Sequence, residues 1–352
     1  MDSHIAVFGA ETALGREIVN IAAEKGIDRA HMHALCDDAA LGDTVPYGAS
    51  DITLRRYDDT EETRGLLANC HVAFFCLPEA SAKRFVPLAI QADCLAIDTS
   101  RAYRLDPRAR LLGPDRTGEA IILHEGLIAL PGSTAMALAT ALLPLHEEAG
   151  ITRLLVTSLE SVSGAGLVGV QALEKEIGDL FSMGETESYT FKRQIAFNVL
   201  PETSNFTTND ATRDEEDLAK EVPLLLEDTK IALHATRVRV PVFYCHSIAV
   251  SLTTKKALSA KNCRAILAQH PDTLRVVDNP RENIYPTPLD VGGTDKVHVG
   301  RIRQDTTAEN TLSLWIVFDN LYGKAYAAVD CALKLIARNR LGTNPTLLME
   351  EA

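Results

Sequence analysis

The feature that most narrows the fold is a series of short, wholly apolar runs separated by helical stretches across the first 130 residues. His71–Leu77 reads His-Val-Ala-Phe-Phe-Cys-Leu, which is too apolar for a strand with one face in water. His4–Gly9, Met32–Cys36, Cys94–Asp98 and residues 127–130 are of the same kind. Between them, Glu11–Lys25 repeats apolar side chains at helical spacing through Leu14, Ile18, Val19 and Ala22, and 79–92 reads as another helix. Buried strands alternating with helices predict a parallel sheet covered on both faces. Ligands in such sheets bind beyond the carboxyl ends of the strands. Here those ends are Gly9, Leu77-Pro78, Asp98-Thr99-Ser100 and Pro131-Gly132.

From Thr152 the pattern changes. Residues 154–162 form a long strand-like run, then a glycine-rich loop (Ser163-Gly164-Ala165-Gly166) and a helix over 168–181. Long strands are expected at 231–252, 274–278, 296–304 and 311–319, and loops at 182–190 and around 203–216. Clustered long strands predict an open mixed or antiparallel sheet in an α+β domain. Its outer face must be covered, and a homodimer is the usual solution. The stretch 322–336 is apolar on one helical face and is expected to return to the first domain.

At 352 residues the chain can hold two full cores. A net charge of −13 without a basic cluster argues against nucleic-acid and anionic-membrane partners. The N-terminal residues show no signal-peptide pattern, and no apolar run reaches membrane-spanning length. The seven cysteines are scattered and none makes a Cys-x-x-Cys pair, so reduced, buried thiols in the cytoplasm are expected, with no metal. His31-Met32-His33 has the spacing of a metal pair on a strand, with plain packing as the default.

The turn after the first strand, Gly9-Ala10-Glu11-Thr12-Ala13-Leu14-Gly15, stands where a dinucleotide fingerprint belongs. Thr12 takes the place of the glycine that lets a pyrophosphate approach the backbone, which weakens the expected binding. Asp37 and Asp38 close the second strand; they repel the 2′-phosphate of NADP, whereas an acid there accepts from the ribose hydroxyls of NAD. NAD, NADP and an emptied or repurposed crevice therefore all stay open.

Much of the chain resembles the aspartate-semialdehyde dehydrogenase family. Ile97-Asp-Thr-Ser-Arg-Ala-Tyr-Arg104, Ser161-Val-Ser-Gly-Ala-Gly166, Gln194-Ile-Ala-Phe-Asn-Val-Leu-Pro201, Arg239-Val-Pro-Val-Phe-Tyr-Cys-His246, Pro286-Thr-Pro288, Val299–Asp305 and Phe318-Asp-Asn-Leu321 all follow its motifs in order. Pro131 and Leu143-Pro144-Leu145-His146 fix the register around Gly132-Ser133-Thr134. The resemblance implies a Rossmann-type parallel-sheet domain over 1–131, completed by a C-terminal helix over 322–345. It also implies an α+β substrate-binding and dimerisation domain over 132–321, with a large mixed sheet.

It further implies that Ser133 occupies the position of the catalytic cysteine. His246 matches the general acid/base and Arg239 the clamp on a substrate carboxylate. Glu215 matches the acid for the substrate amino group, and Arg104 a phosphate-holding arginine. Glu160 stands where the family has a substrate-positioning glutamine, and is grouped with Ser133 and His246 as catalytic. Gly9, Ala10, Thr12, Gly15, Asp37, Ser163, Gly164 and Asn320 fall on the cofactor side. Asp217 replaces the phosphate-binding lysine, and Tyr322-Gly323-Lys324 replaces Arg-Lys-Gly after Asn320-Leu321. A family offshoot, the Usg-type proteins, likewise keeps the fold and carries serine at the cysteine position.

A serine hydroxyl is far less ionised than a thiol, and its ester resists phosphate. The leading expectation is therefore a dimeric family member without efficient aldehyde dehydrogenase activity that binds a ligand or partner through the old cleft, a small acidic metabolite being one candidate. Two alternatives stand beside it: an active NAD(P)-dependent semialdehyde dehydrogenase of amino-acid biosynthesis, and a hydrolase built on Ser133 and His246. Cys245, beside His246 on a strand, is expected to point away from the site. The distance from Ser133 to His246 discriminates among the readings.

Overall fold

The computed structural model describes residues 3–113, 124–182 and 190–338, and these divide into two compact units. The first comprises 1–131 together with the residues from Lys324 onward, and the second is 132–323. Most of the loop expected at 182–190 lies outside the described residues, as does the end of the helix expected to reach 345.

In the first unit the strands β1 (Ile5–Phe8), β2 (Met32–Cys36), β5 (Arg55–Arg56), β6 (Val72–Phe75), β7 (Leu95–Asp98), β8 (Arg110–Leu111) and β9 (Leu127–Ala129) form one seven-stranded sheet. Its order is β5-β2-β1-β6-β7-β9-β8 and every pairing is parallel. The apolar runs are buried throughout: β1, β6 and β7 have no exposed residue. A core cluster stacks Phe8 on Phe75 with ring centroids 4.8 Å apart, and Phe85 from the helix Glu79–Gln91 packs against them. A separate hairpin, β3 (Thr44–Tyr47) with β4 (Ser50–Thr53), has only every second residue buried in β3, and the sequence reading missed it. The helix Tyr322–Ala337 buries Ala325, Ala328, Val329, Cys331 and Leu335, and Tyr326 accepts a hydrogen bond from Lys25.

The second unit is built on a six-stranded mixed sheet. Its strands are β10 (Ile151–Glu160), β11 (Ala232–Arg239), β12 (His246–Thr254), β13 (Leu274–Val276), β14 (Val297–Gln304) and β15 (Thr311–Phe318). The order is β11-β10-β12-β15-β14-β13, with β10–β11 and β13–β14 parallel and the others antiparallel. The helix Ser133–Ala149 lies on one face of this sheet, against β10, β12, β14 and β15. It is apolar nearly all round because the helices Arg213–Leu225 and Ala260–Leu267 cover its other side. On the opposite face of the sheet, Arg153, Leu155, Thr157 and Ala249 are exposed.

Several expectations need correction here. The run 231–252 is two strands, not one, because the chain leaves β11 at Arg239 and re-enters at His246 through a loop with Cys245 at φ 66°. The motif segment 194–201 forms a turn, with Phe197 at φ 59° and a single bridge from Leu200 to Arg239. The loop expected up to 216 stops at Thr212, where the Thr212/Glu215 capping box starts a helix. His31 closes a 3-10 turn and is not on β2.

Candidate functional site

Strand register assembles the site in the second unit. Side chains two apart share a face, so Ser158 and Glu160 project together at the end of β10. Parallel pairing sets Arg237 beside Ser158 and Arg239 beside Glu160. Antiparallel pairing on the other side sets Ser247 beside Leu159, which brings His246 to Glu160. The break at 240–245 lets Arg239 and His246 converge although an unbroken strand would hold residues seven apart on opposite faces. Gly164 lies over both: a Cβ there would come within 2.6 Å of Arg239 Nη1 and 3.1 Å of His246 Nε2.

Glu160 is the hub. Its Oε1 accepts from Arg237 Nη2 at 2.7 Å and Nε at 3.0 Å, from Ser158 Oγ at 2.8 Å and from Thr134 Oγ1 at 2.9 Å. Its Oε2 lies 3.1 Å from His246 Nε2. Burial opposes ionisation of this carboxyl, but the charge of Arg237 and the contact with His246 outweigh it and hold the pKa well below the usual range. Arg237 was not among the expected site residues. It is largely but not fully buried and lies near Glu160, Asp214 and Glu221, and its backbone N–H donates to Glu215. The available signal was an acid at 160 where the family pattern has a neutral amide. A buried carboxylate calls for a cation; Arg237 and Arg239 share the right parity on the facing strand, and the structure gives the direct ion pair to Arg237.

The other ring nitrogen of His246 is also committed. Nδ1 accepts the backbone N–H of Ser161 at 3.1 Å and lies 3.0 Å from Ser161 Oγ. A backbone amide can only donate, so Nδ1 is an acceptor and the ring proton sits on Nε2, facing Glu160. Ser161 Oγ continues to Ser163 Oγ at 2.9 Å, which donates to Asn320 Oδ1 at 3.0 Å. Ser163 and Asn320, expected on the cofactor side, thus belong to the hydrogen-bond network of His246 within this unit.

Ser133 opens the helix Ser133–Ala149, with Gly132 as its N-cap. Its neighbours are tied to carboxylates: the Gly132 N–H donates to Glu221 Oε2 at 2.6 Å, and Thr134 to Glu160. No side-chain hydrogen bond of Ser133, to His246 or otherwise, occurs among the described residues. One backbone amide of this turn, that of Gly132, is thus spent on Glu221. Glu215 is likewise occupied: Oε2 accepts from the Thr212 N–H at 2.7 Å and Oε1 from the Arg237 N–H at 2.8 Å.

Arg239 differs from its neighbour. It is 4% exposed; Nη1 donates to Ser161 O at 2.9 Å, yet its Nε has no partner among the described residues. Burial works against its charge and lowers its pKa. It lines a cavity of about 670 Å³ with Phe191, Arg193, Asn198, Thr203 and Asn205, and the hydroxyl of Thr203 is also buried without a partner. Two orphaned polar atoms in one cavity fit an anionic, hydrogen-bonding ligand. Cys245 lies among Val291, Val317 and Trp315, and burial pushes its thiol up to about 12, so it is no substitute nucleophile.

The cofactor positions of the first unit form their own group. Gly9 has φ 78°, and a Cβ on it would meet the Cys76 carbonyl at 2.4 Å; a Cβ on Gly15 would meet Gly9 O at 2.1 Å. Both glycines are therefore needed for the strand–turn–helix itself, and Ala10 is fully buried between them. Thr12 caps the helix Ala13–Glu24, accepting the Gly15 N–H at 3.0 Å and donating to Gly9 O at 2.7 Å. Glu11 Oε2 is buried with no partner among the described residues, and burial followed by the nearby Asp37 charge raises its pKa. Asp37 is exposed and caps a short 3-10 turn. The turn keeps the shape of a dinucleotide fold, but a helix amide is consumed by Thr12 and acids flank it. Arg104, also in this unit, donates through Nε to Ser100 O and Leu130 O. His4 stacks against His33 and tilts against His31, and among the described residues no group of three metal-ligating side chains is found.

Comparison with known proteins agrees with this architecture. The semialdehyde dehydrogenase NAD binding domain matches residues 4–124, and the semialdehyde dehydrogenase dimerisation domain matches 142–322. The aspartate-semialdehyde dehydrogenase of Rickettsia conorii is 33% identical over 341 residues, covering 95% of this chain and 97% of its own. That of Aquifex aeolicus is 31% identical over 340 residues, covering 96% and 98%. The structure of aspartate semialdehyde dehydrogenase II from Vibrio cholerae, complexed with ASA, superposes with a TM-score of 0.88 at 29% identity, over 96% of this chain and 99% of that one. The chain belongs to the aspartate-semialdehyde dehydrogenase family.

Proposed function

We propose that this protein is a family member that has given up aldehyde oxidation and keeps an anion-binding cleft around Arg239, as the Usg-type offshoot with its serine would. One observation carries the reading: both nitrogens of His246 are engaged, with Nε2–H held on a carboxylate that Arg237 keeps ionised. A general base needs a free lone pair facing the nucleophile. Here the Nδ1 lone pair is taken by an amide, and Nε2 carries the proton. Ser133 therefore has no partner to remove its proton, and the ionised Glu160 beside Thr134 disfavours a second negative charge nearby. The same geometry weighs against a Ser133/His246 hydrolase.

What the residues retain is recognition. The guanidinium of Arg239, which lines the cavity, offers a charge-assisted hydrogen bond to a carboxylate, and the cavity takes a small acidic metabolite. Nicotinamide cofactor binding is weakened by Thr12 and Glu11, and Asp37 opposes the 2′-phosphate of NADP in particular. The open face of the six-stranded sheet, in a segment matching a dimerisation domain, supports a homodimer.

The test is turnover and binding by the purified protein. With aspartate semialdehyde, phosphate and either NAD or NADP, no reduced cofactor should form above background, and turnover comparable to that of an active relative would sink the proposal. L-Aspartate should bind by calorimetry, and Arg239→Ala should abolish that binding.

A further inference from the structure

Lys324 is a buried cation that neither the chemistry nor the recognition above employs. It is the third residue of the helix Tyr322–Ala337 and is 8% exposed. Its Nζ donates to the carbonyl of Thr99 at 2.9 Å, immediately beyond β7. Thr99 itself ties β7 to β6, since its N–H and its hydroxyl both donate to Phe75 O, at 3.1 and 3.0 Å. The ammonium charge also reaches Cys76 at the end of β6 and the buried carboxyl of Asp98 at the end of β7. All of these groups belong to the first unit.

The sheet topology says what this location means. From the β1–β6 boundary the chain proceeds outward to β2 on one side and to β7 on the other. That boundary is the switch point where an open parallel sheet places its ligand, and Gly9 stands there against the Cys76 carbonyl. An acid at the end of the second strand reads the adenosine ribose, which puts the first nucleotide on the β1–β2 side, by Asp37. The second nucleotide of a dinucleotide must then extend over β6 and β7. In this chain a lysine anchored on Thr99 stands at those strand ends.

We infer that Lys324 closes the second-nucleotide half of the crevice and selects against oxidised dinucleotides. Two effects act together. The four-carbon stem and ammonium take space that a ring and ribose would need. The fixed positive charge also repels the cationic nicotinamide of the oxidised cofactor more than the neutral ring of the reduced one. This rests on the reading that cofactor binding is weakened, but it names a residue outside the glycine turn as the cause.

Calorimetry of the full-length protein with NAD and NADH tests it, using Lys324→Met, which keeps the stem and the helix propensity, and Lys324→Gly, which removes both. Lys324→Gly should bind NAD at least about tenfold more tightly than the parent, a change of ~1.4 kcal/mol. Lys324→Met should improve NAD more than NADH and so narrow the preference for the reduced form. If neither variant gains affinity for NAD, or Lys324→Met improves both forms equally, the assignment to Lys324 is overturned. If the parent already binds NAD as tightly as an active dehydrogenase does, the reading of weakened binding fails instead. Should Lys324→Gly not fold, Lys324→Met alone decides.

Discussion

Glu160 and Arg237 carry opposite charges in a place where neither could remain alone. Removing one partner of a buried pair leaves a desolvated charge and costs about 3–5 kcal/mol. Arg237→Met should therefore lower unfolding stability by roughly that amount, measured in urea. The double variant Glu160→Gln/Arg237→Met should recover most of the loss, because a neutral amide can accept from Ser158 and Thr134 without a counter-charge. Equal losses in the single and double variants would show that the pair is not coupled. The pH dependence has a definite sign. Glu160 has its folded pKa depressed below its ordinary value of 4.5, so the stability it contributes is complete above that value. That contribution is lost as pH falls through the lower, folded-state pKa. Glu160→Gln should flatten the acid limb of stability against pH, whereas an unchanged acid limb would remove Glu160 as its source. Ser133→Cys alone should not produce aldehyde-dependent NADPH formation, since the lock on His246 remains; activity near that of a relative would mean that the ring is free to act.

At the scale of elements, the long apolar strands were legible because burial on two faces leaves no other composition for them. β2 begins and ends where its apolar run does, and β6 and β7 fall inside theirs. What escaped was set by local chemistry against the pattern. The stretch 231–252 is apolar enough to read as strand throughout; the convergence of Arg239 and His246 calls for a bend between them, but periodicity does not register its form, a loop over 240–245 with left-handed backbone at Cys245. The helix Arg213–Leu225 hides behind its acidic first turn, yet Thr212 and Glu215 spell a capping box. Thr212→Ala should cost about 1 kcal/mol of stability, read from the urea midpoint, and no change would discount the cap. Ser133, Arg239 and His246 could be named from motif resemblance. The commitment of both His246 nitrogens could not, because it depends on a backbone amide of Ser161 that every sequence would possess.

For the whole molecule, the open face of the six-stranded sheet carries the next prediction. Leu155 is 37% exposed in the middle of β10, beside Thr157 and opposite Ser251. A face of this kind is a liability on a lone subunit and an asset in a pair. Sedimentation should show a dimer, and Leu155→Arg should shift it to monomer while leaving the fold intact by circular dichroism. A parent that sediments as a monomer would refute the assignment of this face.

The first unit is also discontinuous: its chain departs at Pro131 and resumes at Lys324. During synthesis all seven strands of the first unit emerge before the second unit does, but the helix Tyr322–Ala337 that completes it is made only after the whole second unit. The intervening stretch is 192 residues (323 − 132 + 1), which takes roughly 10–40 s at about 5–20 residues per second. Throughout that interval the surface later covered by Ala325, Ala328, Val329 and Leu335 stands open to water and to chaperones. The second unit, contiguous in sequence, needs nothing made after it, so the first unit should begin to fold first and be completed last.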